Sequence, residues 1–318
     1  MIYITLLNWN NYQDTGSCID SLLQIKNPAF RLLIVDNAST DDSYTRIIKH
    51  VAVLDDVSFQ EIDESQSVDR VTHFGDTKIV VIKASKNHGY GGGNNLGLRY
   101  AMAQPDCEYM WVLNNDTEVD QNSLNALVER MHSNRQIGIC GSRLVYYYER
   151  DKLQGLGGNY NRWLCSTTHY RAFCPATQRF DDEAESKNID YVIGASLFIS
   201  KELVERIGYF DDHYFLYFEE LDLCSRAQRA GFTLAVASES IVFHKEGASI
   251  SAQRSTFSEF HVIRSKKLFI NKNYPQYKLF LKFNFLVMFL NRLRRREWEK
   301  AKQIMKYGIL GMSSDTKI

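Results

Sequence analysis

The sequence predicts an α/β fold: a mixed, mainly parallel sheet flanked by helices, continued by a basic helical C-terminal extension. Three observations lead to it. Short β-rich apolar runs alternate with segments of helical periodicity from residue 2 to residue 132, the pattern of helices laid over a parallel sheet. Three of the first four apolar runs end in clusters of Asn, Asp, Ser and Thr, at the strand ends where open parallel sheets bind ligands. The charge is also divided: Lys and Arg (38) balance Asp and Glu (38) over 318 residues, yet residues 254–318 hold fifteen basic and four acidic side chains, a net of +11, leaving −11 for the rest. The two parts are therefore expected to meet different partners.

Strands are expected at 2–7, 31–36, 78–83 and 109–114. Between them, 12–25 places Cys18, Ile19, Leu22 and Leu23 at helical spacing, and further helices are expected at 93–102 and 122–132. Residues 55–76 carry seven acidic side chains against one Arg with no sustained period, which predicts a solvated insertion. Farther on, long strands are expected at 137–148 and 191–200, a glycine-rich turn at 155–158 and a polar acidic loop at 181–187. A helix over 221–230 should close at Gly231, the residue favoured past a helix C-terminus. No internal repeat is visible, and after residue 252 the chain turns basic and helical.

Composition excludes several classes. With 44% apolar and 24% charged residues, four prolines and eighteen glycines, the chain is neither disordered nor low-complexity, and its length allows one large domain or two moderate ones. The six cysteines (18, 107, 140, 165, 174 and 224) form no CxxC pair or zinc-finger spacing, which favours a reducing compartment over a disulfide framework. Residues 2–7 are apolar from the outset, with no basic run before them and no cleavage site, so secretion is unsupported. The apolar stretch 279–290 is twelve residues long and interrupted by Lys282 and Asn284, short of the ~20 a spanning helix needs.

Four stretches carry the residue types of a reactive site. Asn8-Trp9-Asn10, Asp36-Asn37-Ala38-Ser39-Thr40-Asp41 and Asn114-Asn115-Asp116-Thr117 end three strands. Such residues also cap helices and turns, but three clusters at three strand ends favour a binding rim. The run from Lys86 to Gly97 holds five glycines, whose backbone N–H groups could approach phosphates at a helix N-terminus. Its spacing fails the G-x-G-x-x-G pattern, because the third position is Asn94 or Leu96, and no Gly-Lys pair occurs anywhere. A nicotinamide-dependent dehydrogenase is thereby disfavoured, and taken alone the run reads equally as a flexible turn. Finally, Glu219, Glu220 and Asp222 follow the aromatic and apolar run 215–218. Carboxylates this close raise one another's pKa. On a helix Glu219 and Asp222 share a face, as do Asp222 and Arg226, so one acid can be held by the arginine while another stays free as a base. An acidic helix N-terminus favoured by the dipole is the plainer alternative.

Taken in order, Asn8-Trp9-Asn10, Val35 to Asp41, Asn87 to Gly97, Leu113 to Thr117, Gly194-Ala195, and Phe218 to Leu223 followed by Arg226 and His244 resemble family 2 glycosyltransferases, in particular the rhamnosyltransferase-like enzymes of bacterial surface-polysaccharide assembly. The resemblance covers residues 2–250. It implies a GT-A fold, a nucleotide-diphosphate sugar donor of UDP, dTDP or GDP type, Mg²⁺ or Mn²⁺, inversion at the anomeric carbon, and a glycan or lipid-linked glycan acceptor. It also implies a catalytic domain over 1–252, with a nucleotide-sugar half (1–120) and an acceptor half (121–252), followed by the extension 253–318.

Position by position, the resemblance puts Asp36 and Asn37 at the donor's base and ribose with Asn8 beside them, and adds Ser39, Asn87, Asn94 and Asn115 to the donor set. Asp116 matches the last acid of the Asp-x-Asp metal element, whose first position is Asn114 here, and His244 matches a histidine that completes the metal or diphosphate site. The general base falls to Glu220 or Asp222, with Glu220 favoured. Because Asn114 and Glu220 stand where the family commonly has aspartate, a non-catalytic nucleotide-sugar or glycan-binding module is the alternative reading. A nucleic-acid partner is disfavoured by the acidic catalytic half. A cytoplasmic location is implied, with 279–296 either lying at the inner membrane face or packing on the catalytic domain with its arginines outward.

Overall fold

The structure, a computed structural model, describes residues 1–27, 29–55, 57–68, 77–245 and 256–311. The first part alternates as expected: β1 (Ile2–Asn8), α1 (Tyr12–Leu23), β2 (Phe30–Asp36), α2 (Ser43–Ala52), β3 (Phe59–Asp63), α3 (Glu64–Val68), β4 (Ile79–Lys83) and α4 (Gly89–Met102). Then come β5 (Tyr109–Asn114), β6 (Thr117–Val119), α5 (Ser123–Ser133), β7 (Ile137–Tyr146), β8 (Leu153–Gly155), β9 (Gly157–Asn161) and β10 (Ser166–Tyr170). The remainder comprises α6 (Asp182–Ser186), β11 (Ser196–Ser200), α7 (Lys201–Ile207), α8 (Glu219–Arg229), β12 (Thr233–His244), α9 (Thr256–Asn273), α10 (Lys278–Arg294) and α11 (Trp298–Gln303).

One large sheet has the order β3-β4-β2-β1-β5-β11-β7-β12-β6, with β8 on the side of β7. The strands from β3 to β5 are parallel, β11 runs antiparallel between β5 and β7, and β12 is parallel to β7. The continuous apolar runs of β1, β2 and β4 reflect burial on both faces. On one face Ile4, Leu6 and Ile34 pack against Ile19 and Leu22 of α1 and Ile47 of α2; on the other Tyr3, Leu33 and Val35 meet Leu96 and Tyr100 of α4. Register decides the rest: Asn8 lies opposite Asp36, and Leu7 opposite Asn114. The three polar clusters therefore sit along one carboxyl edge of the sheet.

Helix α4 begins at Gly89, four residues before the expected start, so the glycine run belongs to a helix and is not a flexible turn. Helix propensity argues against this, and close packing explains it. A Cβ on Gly93 would come 2.5 Å from Leu7 Cδ1, and one on Gly97 would come 2.5 Å from Thr5 Cγ2. Bare backbone at these two positions lets α4 lie directly on β1. Gly97→Val is expected to destabilise the fold by about 1–3 kcal/mol, because Thr5 is a stiff β-branched residue in a buried strand; a urea midpoint equal to wild type would contradict this.

Other expectations need correction. Part of the stretch 55–76 is ordered structure, with β3 pairing parallel to β4 and α3 following. As an edge strand β3 buries only Ile62, so its sequence lacks a strong period; residues 56 and 69–76 lie outside the described residues. The glycines of 155–158 lie in β8 and β9 rather than a turn, and a Cβ on Gly157 or Gly158 would strike Ile189 or Tyr191. The long strand of 191–200 shortens to β11, with Gly194 and Ala195 in a turn, and that of 137–148 ends at Tyr146. The acidic stretch 181–187 forms α6, capped by Asp181, whose carboxylate accepts from Glu183 N and Ala184 N. Strand β12 went unanticipated because a register shift between Ala237 and Ile241 breaks its alternation.

The extension is helical. Phe269, Ile270, Leu281, Phe285 and Ile304 join the same core as Leu221 and Leu223 of α8. The expected division at 252/253 falls outside the described residues. Among the described residues no helix is long and apolar enough to cross a membrane.

Candidate active site

At the ends of β1 and β2, Asn8 and Asp36 are buried and tied together. Asn8 Nδ2 donates to Asp36 Oδ1 (2.8 Å) and Ser39 Oγ (3.0 Å), while its Oδ1 accepts from Thr15 Oγ1 (2.8 Å). Asp36 also accepts from Ser39 Oγ (2.6 Å) and Ser39 N (3.1 Å). This network shapes the loop after β2, which Asn10 closes by accepting from Thr40 N (2.7 Å) and donating to Thr40 Oγ1 (3.0 Å). Asn10 and Ala38 take positive φ values of 54° and 57°, conformations that tend to collect at functional loops. Trp9, next to Asn10 in the chain, is 49% exposed.

Asn37 points the other way. Its Nδ2 donates to Asn87 Oδ1 (3.0 Å) and Gly89 O (3.1 Å), its Oδ1 accepts from His88 N (3.0 Å), and Asn87 Oδ1 also takes Gly89 N (2.8 Å). Asn37 and Asn87 thus hold the entry to α4 in place. Asn94 is buried in α4, donating to Tyr90 O (3.0 Å) with its Oδ1 unpartnered. Asn115 donates to Thr15 Oγ1 (2.8 Å), which links the β5 end to the β1 end.

Beyond β5, Asp116 faces His244, the last residue of β12. His244 Nε2 lies 3.2 Å from Asp116 Oδ1, and its Nδ1 lies 2.9 Å from Gln154 Oε1. The amide oxygen can only accept, so Nδ1 carries a proton there. An Nε2 lone pair and a carboxylate oxygen at 3.2 Å need a proton or a cation between them. Burial would raise the Asp116 pKa, but the His244 contact and the nearby Lys245 charge outweigh it and hold the carboxyl below its ordinary range. Lys245 N donates to Asp116 O (2.9 Å), and its ammonium reaches Asp14 (3.0 Å) and Glu118 (3.6 Å). Asn114 Oδ1 is buried without a partner. Among the described residues no three His, Cys, Asp or Glu side chains are grouped to hold an ion. The set present, one carboxylate, one imidazole and an unpartnered amide oxygen, fits a hard cation that brings its remaining ligands on a phosphate.

The acids of α8 enter after two consecutive left-handed residues, Tyr217 (φ 69°) and Phe218 (φ 70°), each costing on the order of 1–3 kcal/mol. Phe218 is held against Tyr160 and Phe269, and the bend brings Glu219 and Glu220 to the start of the helix. Burial pushes both carboxyls above the ordinary range, and for Glu219 the charge of Glu220 adds to it. One oxygen of each has no hydrogen-bond partner. Glu220 is half-buried and lines a cavity of about 210 Å³ with Ser166, Thr167, Tyr217 and Lys266. A larger cavity of about 640 Å³, lined by Glu108, His132 and Arg135, lies by Tyr109 at the start of β5, the sheet edge opposite the polar clusters.

Asp222 is fully buried and occupied. Its oxygens take Arg226 Nε (2.8 Å), Lys272 Nζ (3.0 Å), Asn273 Nδ2 (3.1 Å) and Tyr214 Oη (3.4 Å). The predicted Asp222–Arg226 pairing is present within α8, and Lys272 and Asn273 on the same carboxylate fasten α8 to α9; of the two candidate bases, Glu220 alone lines the cavity. Asp222→Asn is expected to destabilise the fold by about 3–5 kcal/mol, the scale of breaking one partner of a buried pair, with kcat of the folded protein close to wild type. A stable variant without turnover would contradict this.

Tyr90, which the sequence reading did not single out, joins the parts. Its hydroxyl donates to Gly194 O (2.6 Å). Burial raises its pKa, and the charges of Glu219, Glu220 and Asp116 raise it further. A Cβ on Gly194 would lie 3.7 Å from Tyr90 Oη and 3.8 Å from Glu220 Cγ, and the next carbonyl, Ala195 O, accepts from Asn114 N (3.0 Å). The Gly194-Ala195 turn thus connects the end of β5, two residues before Asp116, with the N-terminal end of α4 and the start of α8, while Glu220 and not Asp116 lines the cavity of about 210 Å³. Tyr90 and Lys245 left no local signal, because their partners are distant in sequence.

Comparison with known proteins agrees with this architecture. The family described as Glycosyl transferase family 2 matches residues 4–208. A curated relative, the low-salt glycan biosynthesis hexosyltransferase Agl10 of Haloferax volcanii, is 26% identical over 245 residues, covering 76% of this chain and 75% of its own. The mannosyltransferase PcManGT of Pyrobaculum calidifontis, solved with GDP-Man and Mn²⁺, superposes with a TM-score of 0.56 at 13% identity over 98% of this chain and 76% of that one. GalNAc-T7, solved with UDP, GalNAc and Mn²⁺, gives 0.62 at 12% identity over 90% of this chain and 50% of its own.

Proposed function

The chain belongs to glycosyl transferase family 2 and is a glycosyltransferase with a GT-A fold, and from that premise we propose that it is an inverting, metal-dependent enzyme moving a hexosyl unit from a nucleotide-diphosphate sugar to a glycan acceptor. The carrying observation is the Gly194-Ala195 turn, which touches Tyr90 and Glu220 on one side and accepts from Asn114, two residues before Asp116, on the other, with the Asp116 carboxyl held low and that of Glu220 raised. Opposed shifts are how two carboxylates take separate roles. The named relatives act on sugars, and two neighbours were solved with a nucleotide or nucleotide sugar and Mn²⁺. This supports a UDP-, GDP- or dTDP-type donor with Mn²⁺ or Mg²⁺ here. A lipid-linked acceptor in bacterial surface-polysaccharide assembly, at the cytoplasmic face of the membrane, is the setting we assign.

In this reading, Asp116, His244 and the Asn114 amide oxygen would hold a divalent cation, and the chemistry it would supply is charge neutralisation on the departing diphosphate. The loops after β1 and β2, shaped by Asn8, Asp36 and Ser39, receive the nucleoside, with Trp9 available to stack. Glu220 takes the proton of the acceptor hydroxyl as that oxygen bonds to the anomeric carbon from the face opposite the breaking C–O bond, whose electrons leave on the nucleoside diphosphate. A single displacement of this kind inverts the centre. Tyr90, donating to Gly194 O, holds the turn that lies against Glu220. Incubation with UDP-, GDP- and dTDP-hexoses and Mn²⁺, followed by release of the nucleoside diphosphate, tests the reading. One donor class should be turned over, and turnover unaffected by chelation would overturn the metal-dependent mechanism.

A further inference from the structure

Helix α10 has two apolar faces, and the protein covers one. Leu281 and Phe285 are buried in the common core, Asn284 accepts from Lys266 Nζ (3.1 Å) beside the Glu220 cavity, and Arg292 pairs with Glu259 (2.9 Å). Leu279, Phe283, Leu286, Val287 and Leu290 form the opposite stripe at i, i+4, i+7, i+8 and i+11, between 39% and 74% exposed. Isolated exposed apolar residues need no explanation, but a contiguous stripe does. Lys278 and Lys282 flank it, exposed Arg294, Arg295 and Arg296 follow its last turn, and Trp298 beyond them is 63% exposed. The helix has 17 residues, too few to span a bilayer but enough to lie along one.

We infer that this face of α10 seats in the interfacial region of a bilayer containing anionic phospholipid. Charge selects that occupant. A cationic rim around an apolar stripe complements an anionic lipid surface and repels the same rim on a second copy. The inference rests on α10 alone and does not depend on the transferase reading. Through Lys266 and Asn284 the docked helix also adjoins the cavity that holds Glu220.

The test is sedimentation of the full chain with vesicles of phosphatidylcholine alone and of equal parts phosphatidylcholine and phosphatidylglycerol. Wild type should sediment with the mixed vesicles and stay behind with the neutral ones. A Phe283→Asp, Leu290→Asp double variant, and separately an Arg294→Glu, Arg295→Glu, Arg296→Glu triple variant, should bind at least tenfold more weakly, since each cation near an anionic surface is worth about fivefold. Both change only exposed side chains, and their melting temperatures should match wild type. Absence of wild-type binding, equal binding to neutral vesicles, or unchanged binding by either folded variant would overturn the inference. So would self-association abolished by the same substitutions with no vesicle binding.

Discussion

Glu220→Gln is expected to lower kcat about 10²- to 10⁴-fold, the usual contribution of a positioned general base, while donor affinity stays near the wild-type value. The substitution keeps the size of the side chain and removes only the ability to accept a proton. Because the site buries the carboxyl, its pKa lies above the ordinary glutamate range. A base works only when ionised, so wild-type kcat/KM should fall on acidification through that raised value, at a higher pH than an ordinary glutamate would give. Glu219 shares the burial and feels the charge of Glu220, so the acid limb belongs to the pair. Asp116 does not contribute to it: its carboxyl is held below the ordinary range and stays ionised where the pair titrates. An acid limb at or below the ordinary glutamate value, or near-normal turnover by the Gln variant, would remove Glu220 from the role.

Asp116→Asn should act differently. The loss of one negative charge beside His244 is expected to weaken metal-assisted donor binding and lower kcat/KM about 10²- to 10³-fold, because a cation on the leaving group supplies several kcal/mol. Raising the Mn²⁺ concentration should restore part of that loss, whereas it should do nothing for Glu220→Gln. The stability effect also has a sign. A depressed carboxyl stabilises the fold above its unfolded pKa, and that contribution is lost as pH falls through the lower folded value. Wild type should therefore lose on acidification a stability increment that the Asn variant never had. Equal donor affinity of both proteins across Mn²⁺ concentrations would contradict the assignment.

The placement of the three polar clusters along one edge was legible because strand ends are local features. An apolar run that stops at Asn8, Asp36 or Asn114 announces its own carboxyl edge, and the parallel register then brings the three together. The Asp222–Arg226 pair was legible from helical spacing alone. What separates Asp222 from Glu220 was not, because Lys272 and Asn273, which occupy Asp222, lie about fifty residues away. The glycines of α4 misled for a related reason: propensity describes an isolated helix, whereas Thr5 and Leu7 decide what fits against the sheet. Edge strand β3 hides because an edge buries little, and Tyr90 hides because its partner, Gly194, is 104 residues distant.

Anomalous scattering from crystals soaked with Mn²⁺ and a nucleoside diphosphate would locate the ion and the leaving group together. The account predicts a single manganese peak within coordination distance of Asp116 and His244, bridged to the diphosphate, with the Glu220 carboxylate in the same cavity. A manganese–diphosphate site elsewhere on the chain, or one walled off from Glu220, would contradict it.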